Sequence, residues 1–351
     1  MRNNQIGIFL SLLSWVMLAT SAVADVSMDN ATSKLKIKGR FGAGVFQSGT
    51  LGTDPFGSFQ IPEGKVMMSY QVDDVNTVVL RFNANSSGVV GAAPANNFLD
   101  FMYLDSKLPF GIDSRLGRFK VQYGEETLYN NIVESSVIGN SVSGLSGNDE
   151  GVQLSGKLSD ALKWNVSATN GNRGVVADNN GLKAYSGKIS YQLDALYLSG
   201  SYYQSGGLTA VSTSEMSFAG NTGSLVGGAS NWDRSMAELD VRFDFGRGKV
   251  ANPPAFTDSV GYVWLAYGNI ADTDVSTAKV SAIYGFVEGL YNLTPQIFSA
   301  ARYSQVDVAN GGSALLNSFV ATAYKRTSVA LGYRFTPKLI LNWAMTSIPL
   351  A

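Results

Sequence analysis

The chain has 351 residues, of which 45% are hydrophobic and 15% charged, with 26 Lys and Arg against 27 Asp and Glu. Histidine and cysteine are both absent, which excludes imidazole- or thiolate-based catalysis, disulfides, iron–sulfur ligation and imidazole metal sites. A formal charge of −1 offers no basic footprint for nucleic acid, and a charged fraction this low fits an ordinary soluble enzyme poorly.

The N-terminus reads as an export leader. Arg2 supplies a short positive region, Ile6 to Leu18 form an apolar run, and Ala22-Val23-Ala24 is a small-residue cleavage site. The reading is a cleaved leader over 1–24 and one domain over 25–351. The apolar run is shorter than the ~20 residues of a membrane-spanning helix.

Beyond residue 24 the chain alternates with period 2 in segments of about ten residues bounded by turn chemistry. Lys36, Lys38 and Arg40 share one face of the first segment, and Leu35, Ile37 and Phe41 the other. Later segments repeat the pattern: Gln153, Ser155 and Lys157 against Val152, Leu154 and Leu158; Lys163 and Asn165 against Trp164 and Val166; Glu238, Asp240 and Arg242 against Leu239, Val241 and Phe243. A soluble sandwich also alternates. Charge on many polar faces, aromatic residues at the strand ends (Tyr123, Tyr185 and Tyr202 at one end, Phe243, Phe245, Tyr333 and Phe335 at the other) and alternating long and short connections favour an all-β, transmembrane antiparallel barrel.

The predicted strands are 35–46, 64–73, 75–85, 97–105, 114–123, 149–158, 162–170, 183–193, 195–205, 232–245, 258–269, 276–290, 296–307, 322–335 and 338–347. Fifteen is an odd count, whereas single-chain bacterial barrels close with an even number. The expectation is a barrel of about 16 strands whose last strand is missing after residue 351. A strand overlooked inside 206–231 is the alternative. Sixteen strands enclose an aqueous channel, and the long connections 124–148 and 206–231 are candidates to narrow it.

The segment Gly117-Arg118-Phe119-Lys120-Val121-Gln122-Tyr123-Gly124-Glu125-Glu126, a long loop, and then Asn148-Asp149-Glu150-Gly151-Val152-Gln153-Leu154-Ser155-Gly156 resembles the phosphate-selective porin O and P family. The similarity is sharp across 114–170 and looser elsewhere, at Ala301-Arg302-Tyr303-Ser304 and Gly332-Tyr333-Arg334-Phe335-Thr336-Pro337. It implies a sixteen-stranded, homotrimeric channel in the outer membrane of a Gram-negative bacterium, with a loop folded into the lumen and small polar or anionic solutes as cargo. The chain departs from the family at that loop. Residues 124–148 contain no Lys or Arg and carry Glu125, Glu126 and Glu134, so cations that attract phosphate-like anions must come from the wall.

The expected pore lining is therefore Lys36, Lys38, Arg40, Arg81, Arg118, Lys120, Lys157 and Lys163, with Glu125, Glu126 and Glu134 on the constriction loop. No enzyme, cofactor or metal reading rises above background. Adjacent Glu125 and Glu126 point apart, Asp272 and Asp274 read as solvated loop acids, and the glycine pairs lack the strand-to-helix context of a nucleotide loop. The functional expectation is passive diffusion. The alternative is a non-conducting barrel serving as adhesin, receptor or anchor.

Overall fold

Period-2 alternation, with β-branched and aromatic residues on one side, produces one antiparallel sheet that curls on itself. The computed structural model describes residues 17–22, 34–46, 58–83, 99–126, 148–171, 181–209, 224–226, 229–246, 260–276, 278–309, 323–336 and 339–347. Its strands are β1 (Met17–Ala22), β2 (Leu35–Phe46), β3 (Ser58–Gln71), β4 (Asn76–Asn83), β5 (Leu99–Leu108), β6 (Ile112–Lys120), β7 (Asn148–Lys157) and β8 (Leu162–Thr169). They continue as β9 (Ala184–Leu193), β10 (Leu196–Thr209), β11 (Asn231–Phe245), β12 (Gly261–Asp274), β13 (Lys279–Asn292), β14 (Ile297–Val308), β15 (Ala323–Thr336) and β16 (Leu339–Ser347).

Each of the fifteen predicted strands has its counterpart in β2–β16, which pair in chain order. The sixteenth position is filled from the other end of the chain. Strand β1 pairs antiparallel with β16 (Met17 opposite Ala344, Ala22 opposite Leu339) and with β2 (Leu18 opposite Val45, Ala22 opposite Phe41), and closes the barrel. The position expected for a strand after residue 351 is thus occupied by residues 17–22, and no strand lies among the described residues between Thr209 and Asn231. The six residues of β1 fall inside the stretch read as a leader. Cleavage after Ala24 would remove them and leave β2 and β16 as edges running in the same direction.

Turn chemistry keeps one rim tight. Asp73 accepts hydrogen bonds from the Asn76 side chain (2.9 Å) and from the backbone N–H groups of Val75 (2.9 Å) and Asn76 (2.8 Å), which hold its carboxyl below the usual carboxylate range. Asp194 at φ 43° makes the β9–β10 turn, and a 3₁₀ turn at Pro109–Gly111 joins β5 to β6.

The outer surface is apolar: Leu239, Leu265, Tyr267, Ile283, Leu331 and Phe335 are all exposed on outward positions. Near the tight rim Tyr333 meets Phe335 edge-on at 4.9 Å, and Phe245 stacks on Tyr291 at 6.4 Å, as in an interfacial aromatic girdle. The inner surface is unequal. Inward positions of β9–β16 are buried and hold an apolar cluster including Tyr203, Met236, Trp264, Ile270, Phe286 and Phe298, interleaved with buried charges such as Arg234, Asp240, Glu288 and Arg302, whereas inward positions of β2–β8 are mostly polar and incompletely buried.

Candidate functional site: the lumen and its inserted segment

After β6 the chain does not turn back into the wall. Residues 121–126 run into the lumen, where Val121, Tyr123, Glu125 and Glu126 are all buried. Gly124 makes the entry possible: its φ of +59° is a left-handed conformation, and a Cβ there would lie 2.3 Å from Glu238 Oε1. The backbone N–H of Gly124 donates to Ser201 Oγ (3.0 Å), and that of Glu125 donates to Asp240 Oδ2 (3.2 Å). The Tyr123 hydroxyl meets that of Tyr284 at 2.7 Å, and Tyr284 donates onward to Glu238 (2.7 Å).

Two buried cations fix the carboxylates of this segment. Lys188 on β9 lies 2.6 Å from Glu125, which also accepts from the Tyr197 hydroxyl. Arg302 on β14 binds Glu126 and Glu288 together, its Nε donating to Glu288 at 2.6 Å, and its guanidinium lies over the Phe286 ring at 4.6 Å. Charges this far from water persist when paired and hydrogen-bonded, and an unpaired one would cost several kcal/mol. A second stretch, Ser224–Val226 from the β10–β11 connection, is also buried. The Leu225 N–H donates to Asp272 Oδ2 (2.7 Å), whose carboxylate grips Arg234 through two hydrogen bonds of 2.7 and 2.8 Å, with both side chains fully buried.

The opposite wall is cationic. Lys36, Lys38 and Arg40 occupy inward positions of β2, and the register carries Lys38 past Met67 to Arg81 and sets Arg40 opposite Lys65. Lys36 and Lys38 are solvent-exposed although they point inward, as side chains in a wet lumen are. Arg81 pairs with Asp100 at 2.6 Å above the Phe101 ring (3.9 Å), and Arg115 pairs with Asp105 at 2.7 Å above Tyr103 (3.9 Å). Lys157 and Lys163 stand directly opposite each other on the inner face of β7 and β8.

Six of the eight expected lining residues thus share the inner face: Lys36, Lys38, Arg40, Arg81, Lys157 and Lys163. Arg118 and Lys120 do not. By register Arg118 lies opposite Met102 and two residues from Leu116, both outward and at least half exposed, yet Arg118 itself is buried at 8% exposure, and its Nε donates to the Asp100 carbonyl at 3.1 Å near the strand end. Phe119 and Val121 point inward instead, at 0% and 4% exposure. An apolar residue reads as lipid-facing when the lumen is assumed to be polar throughout, and here part of the lumen is apolar. Tyr123 is corrected for the same reason: it sits in the lumen, not in a girdle. Glu125 and Glu126 enter the lumen as the loop assignment requires, and Glu134 lies outside the described residues.

Lys65, Arg115 and Lys188 belong to the site and carry no assignment from sequence, and Arg302 enters the sequence reading only within the motif Ala301-Arg302-Tyr303-Ser304. Lys188 sits between Ser186 and Ser190 in a clean alternation, so its inward face was readable. That it meets Glu125, 63 positions earlier, was not.

Neither a protein-family model nor a curated protein sequence matches this chain. Solved structures do match its fold. The trimer form of OmpT, an outer-membrane protein of Vibrio cholerae, superposes with a TM-score of 0.55 at 13% identity, over 95% of this chain and 87% of that one. The outer-membrane channel DcaP of Acinetobacter baumannii gives 0.53 at 10% identity over 96% of both chains. An anion-selective porin from Comamonas acidovorans gives 0.51 at 13% identity over 95% and 87%. At these identities the likeness is one of fold: the chain has the architecture of a Gram-negative outer-membrane β-barrel.

Proposed function

We propose that the chain is an outer-membrane channel for passive diffusion of small polar and anionic solutes, phosphate-like anions among them. One observation carries this reading: lysines and arginines on the inner faces of β2, β3 and β4, with Lys36 and Lys38 solvated inside the barrel. A wet lumen keeps such charges at little cost, and lumenal charge sets ion selectivity. Facing them, the Glu125 carboxylate is held by Lys188 and that of Glu126 by Arg302, which also serves Glu288. The path runs beside β2–β8, because the β9–β16 side is closely packed with apolar groups and buried ion pairs. The trimer named for the Vibrio protein supports extending a homotrimer to this chain, and an outer-membrane location follows from the apolar outer band, with lipid as its partner. No enzymatic step is part of this reading.

Planar-bilayer recording under a KCl gradient tests it. Discrete, anion-selective conductance steps are expected. Silence from demonstrably folded protein overturns the channel. It would favour a non-conducting barrel acting as adhesin, receptor or anchor, a reading that draws on the packed half of the lumen and its two inserted stretches.

A further inference from the structure

Between the inserted Glu125 and the tight-turn rim lies a cavity of about 530 Å³, a size typical of small-molecule sites. Three features of its lining have no structural explanation of their own.

The first is the pair Lys157 and Lys163. They are direct cross-strand partners on the same face, an arrangement that destabilises a sheet when the charges are alike. Among the described residues neither ammonium has an ion-pair or hydrogen-bond partner. Of the two carboxylates lining the cavity, Glu125 is taken by Lys188 and Tyr197, and Asp113 faces Lys107 across the β5–β6 register. The second is Asn165, next on the inner face of β8, whose Oδ1 is buried with no hydrogen-bond partner among the described residues. A buried acceptor left unmade is costly. The third is Phe110 at the lip. It holds φ 65° in the Pro109–Gly111 turn and is 99% exposed as a residue. A bulky residue in the left-handed region is a true outlier, and no packing of the ring accounts for it.

We propose that this cavity is a binding subsite for a hydroxylated aromatic carboxylate. The carboxylate bridges Lys157 and Lys163 and relieves their repulsion. A hydroxyl at the far side of the ring donates to Asn165 Oδ1, and the ring itself lies against Phe110. Each unexplained feature is met by one part of such a molecule. Phosphate satisfies only the lysines. The inference rests on the channel reading for the solute's route to the cavity, and it makes that channel saturable for one class of solute.

The test uses 4-hydroxybenzoate, benzoate and inorganic phosphate on the full chain in planar bilayers. Saturable reduction of chloride current by 4-hydroxybenzoate is expected, with benzoate weaker for want of the donor and phosphate weaker still. Lys157→Gln with Lys163→Gln should raise the half-blocking concentration about tenfold or more, through loss of charge-assisted hydrogen bonds. Phe110→Ala should raise it a few-fold. Folding of each variant is checked by heat-modifiable migration. Equal potency of the three probes, or an unchanged half-blocking concentration in the double-lysine variant, overturns the subsite. If the wild type does not conduct, the channel reading fails by itself. Calorimetric titration of detergent-folded protein with the same probes then decides the subsite, saturable binding lost in the double variant supporting it and no binding overturning it.

Discussion

Arg302 on β14 holds the carboxylate of Glu126, 176 residues earlier in the chain, inside the barrel, and reaches Glu288 with the same guanidinium. The inserted segment is therefore fastened by a three-member charge network. Replacing Arg302 with Gln leaves two buried carboxylates without their cation. Breaking a buried pair from one side typically costs about 3–5 kcal/mol. We expect Arg302→Gln to lower the unfolding temperature and to add open-channel noise as the segment comes loose. Adding Glu126→Gln and Glu288→Gln should recover much of the stability. A single variant as quiet and as stable as wild type would show that the network does not hold the segment.

Wall charge should set selectivity. Lys38→Glu combined with Arg40→Glu is expected to shift the reversal potential in a KCl gradient toward cations without loss of folded barrel, since lumenal substitutions tune selectivity more than folding. The charge-neutral swap Glu125→Gln with Lys188→Gln should move it little. Equal shifts from both pairs would place the path on the wrong side of the lumen.

Strand β6 offers a parity test. Leu116 is 58% exposed on the outer face, so Leu116→Lys puts a charge into lipid, at a cost of about 2–4 kcal/mol if near the midplane. Its neighbour Arg115 faces inward, and Arg115→Gln should fold well while altering selectivity. Folding yield into lipid vesicles reads both. Comparable yields for the two variants would contradict the register of β6.

The closing strand can be tested by truncation. The chain carrying β1 should refold in detergent to a more heat-resistant barrel than residues 25–351 alone, because β1 covers the facing edges of β2 and β16, where unpaired backbone groups in hydrocarbon cost several kcal/mol each. Equal thermal resistance on gels would mean that β1 adds nothing to the wall.

The Asp73 turn carries a pH signature. Its carboxyl is held below the ordinary value of 3.8, chiefly by the Asn76 side chain, so the contribution is complete above that value and is lost as pH falls through the lowered one. The Val75 and Asn76 amide resonances should follow that titration in detergent-solubilised protein, and Asp73→Asn should abolish it. A midpoint at or above 3.8 would contradict the capping geometry.

The wall was legible because a strand's side chains alternate with period 2, and strands such as Leu35–Phe46, Asn148–Lys157 and Asn231–Phe245 carry that mark as alternating polarity. Met17–Ala22 does not. Its Met-Leu-Ala-Thr-Ser-Ala sequence has no alternation and sits at the end of an apolar run, so only pairing reveals it as a strand. The lumen was half legible. Charged alternating faces such as Lys36–Lys38–Arg40 declare themselves. Phe119 and Val121 misled because hydrophobicity reports burial without saying whether lipid or packed protein does the burying. Glu126–Arg302 is a contact between distant strands, and no local pattern encodes it.

The unequal lining also divides the barrel by its tolerance of change. On β9–β16 an inward residue such as Met236 or Phe298 is part of a packed interior, so altering it disturbs both the wall and the segment resting on it. On β2–β4 a residue such as Lys36 touches mainly water, and its charge can be exchanged without repacking anything. Drift in what the barrel admits should therefore accumulate on one arc of its circumference, while the other arc stays bound to the demands of folding.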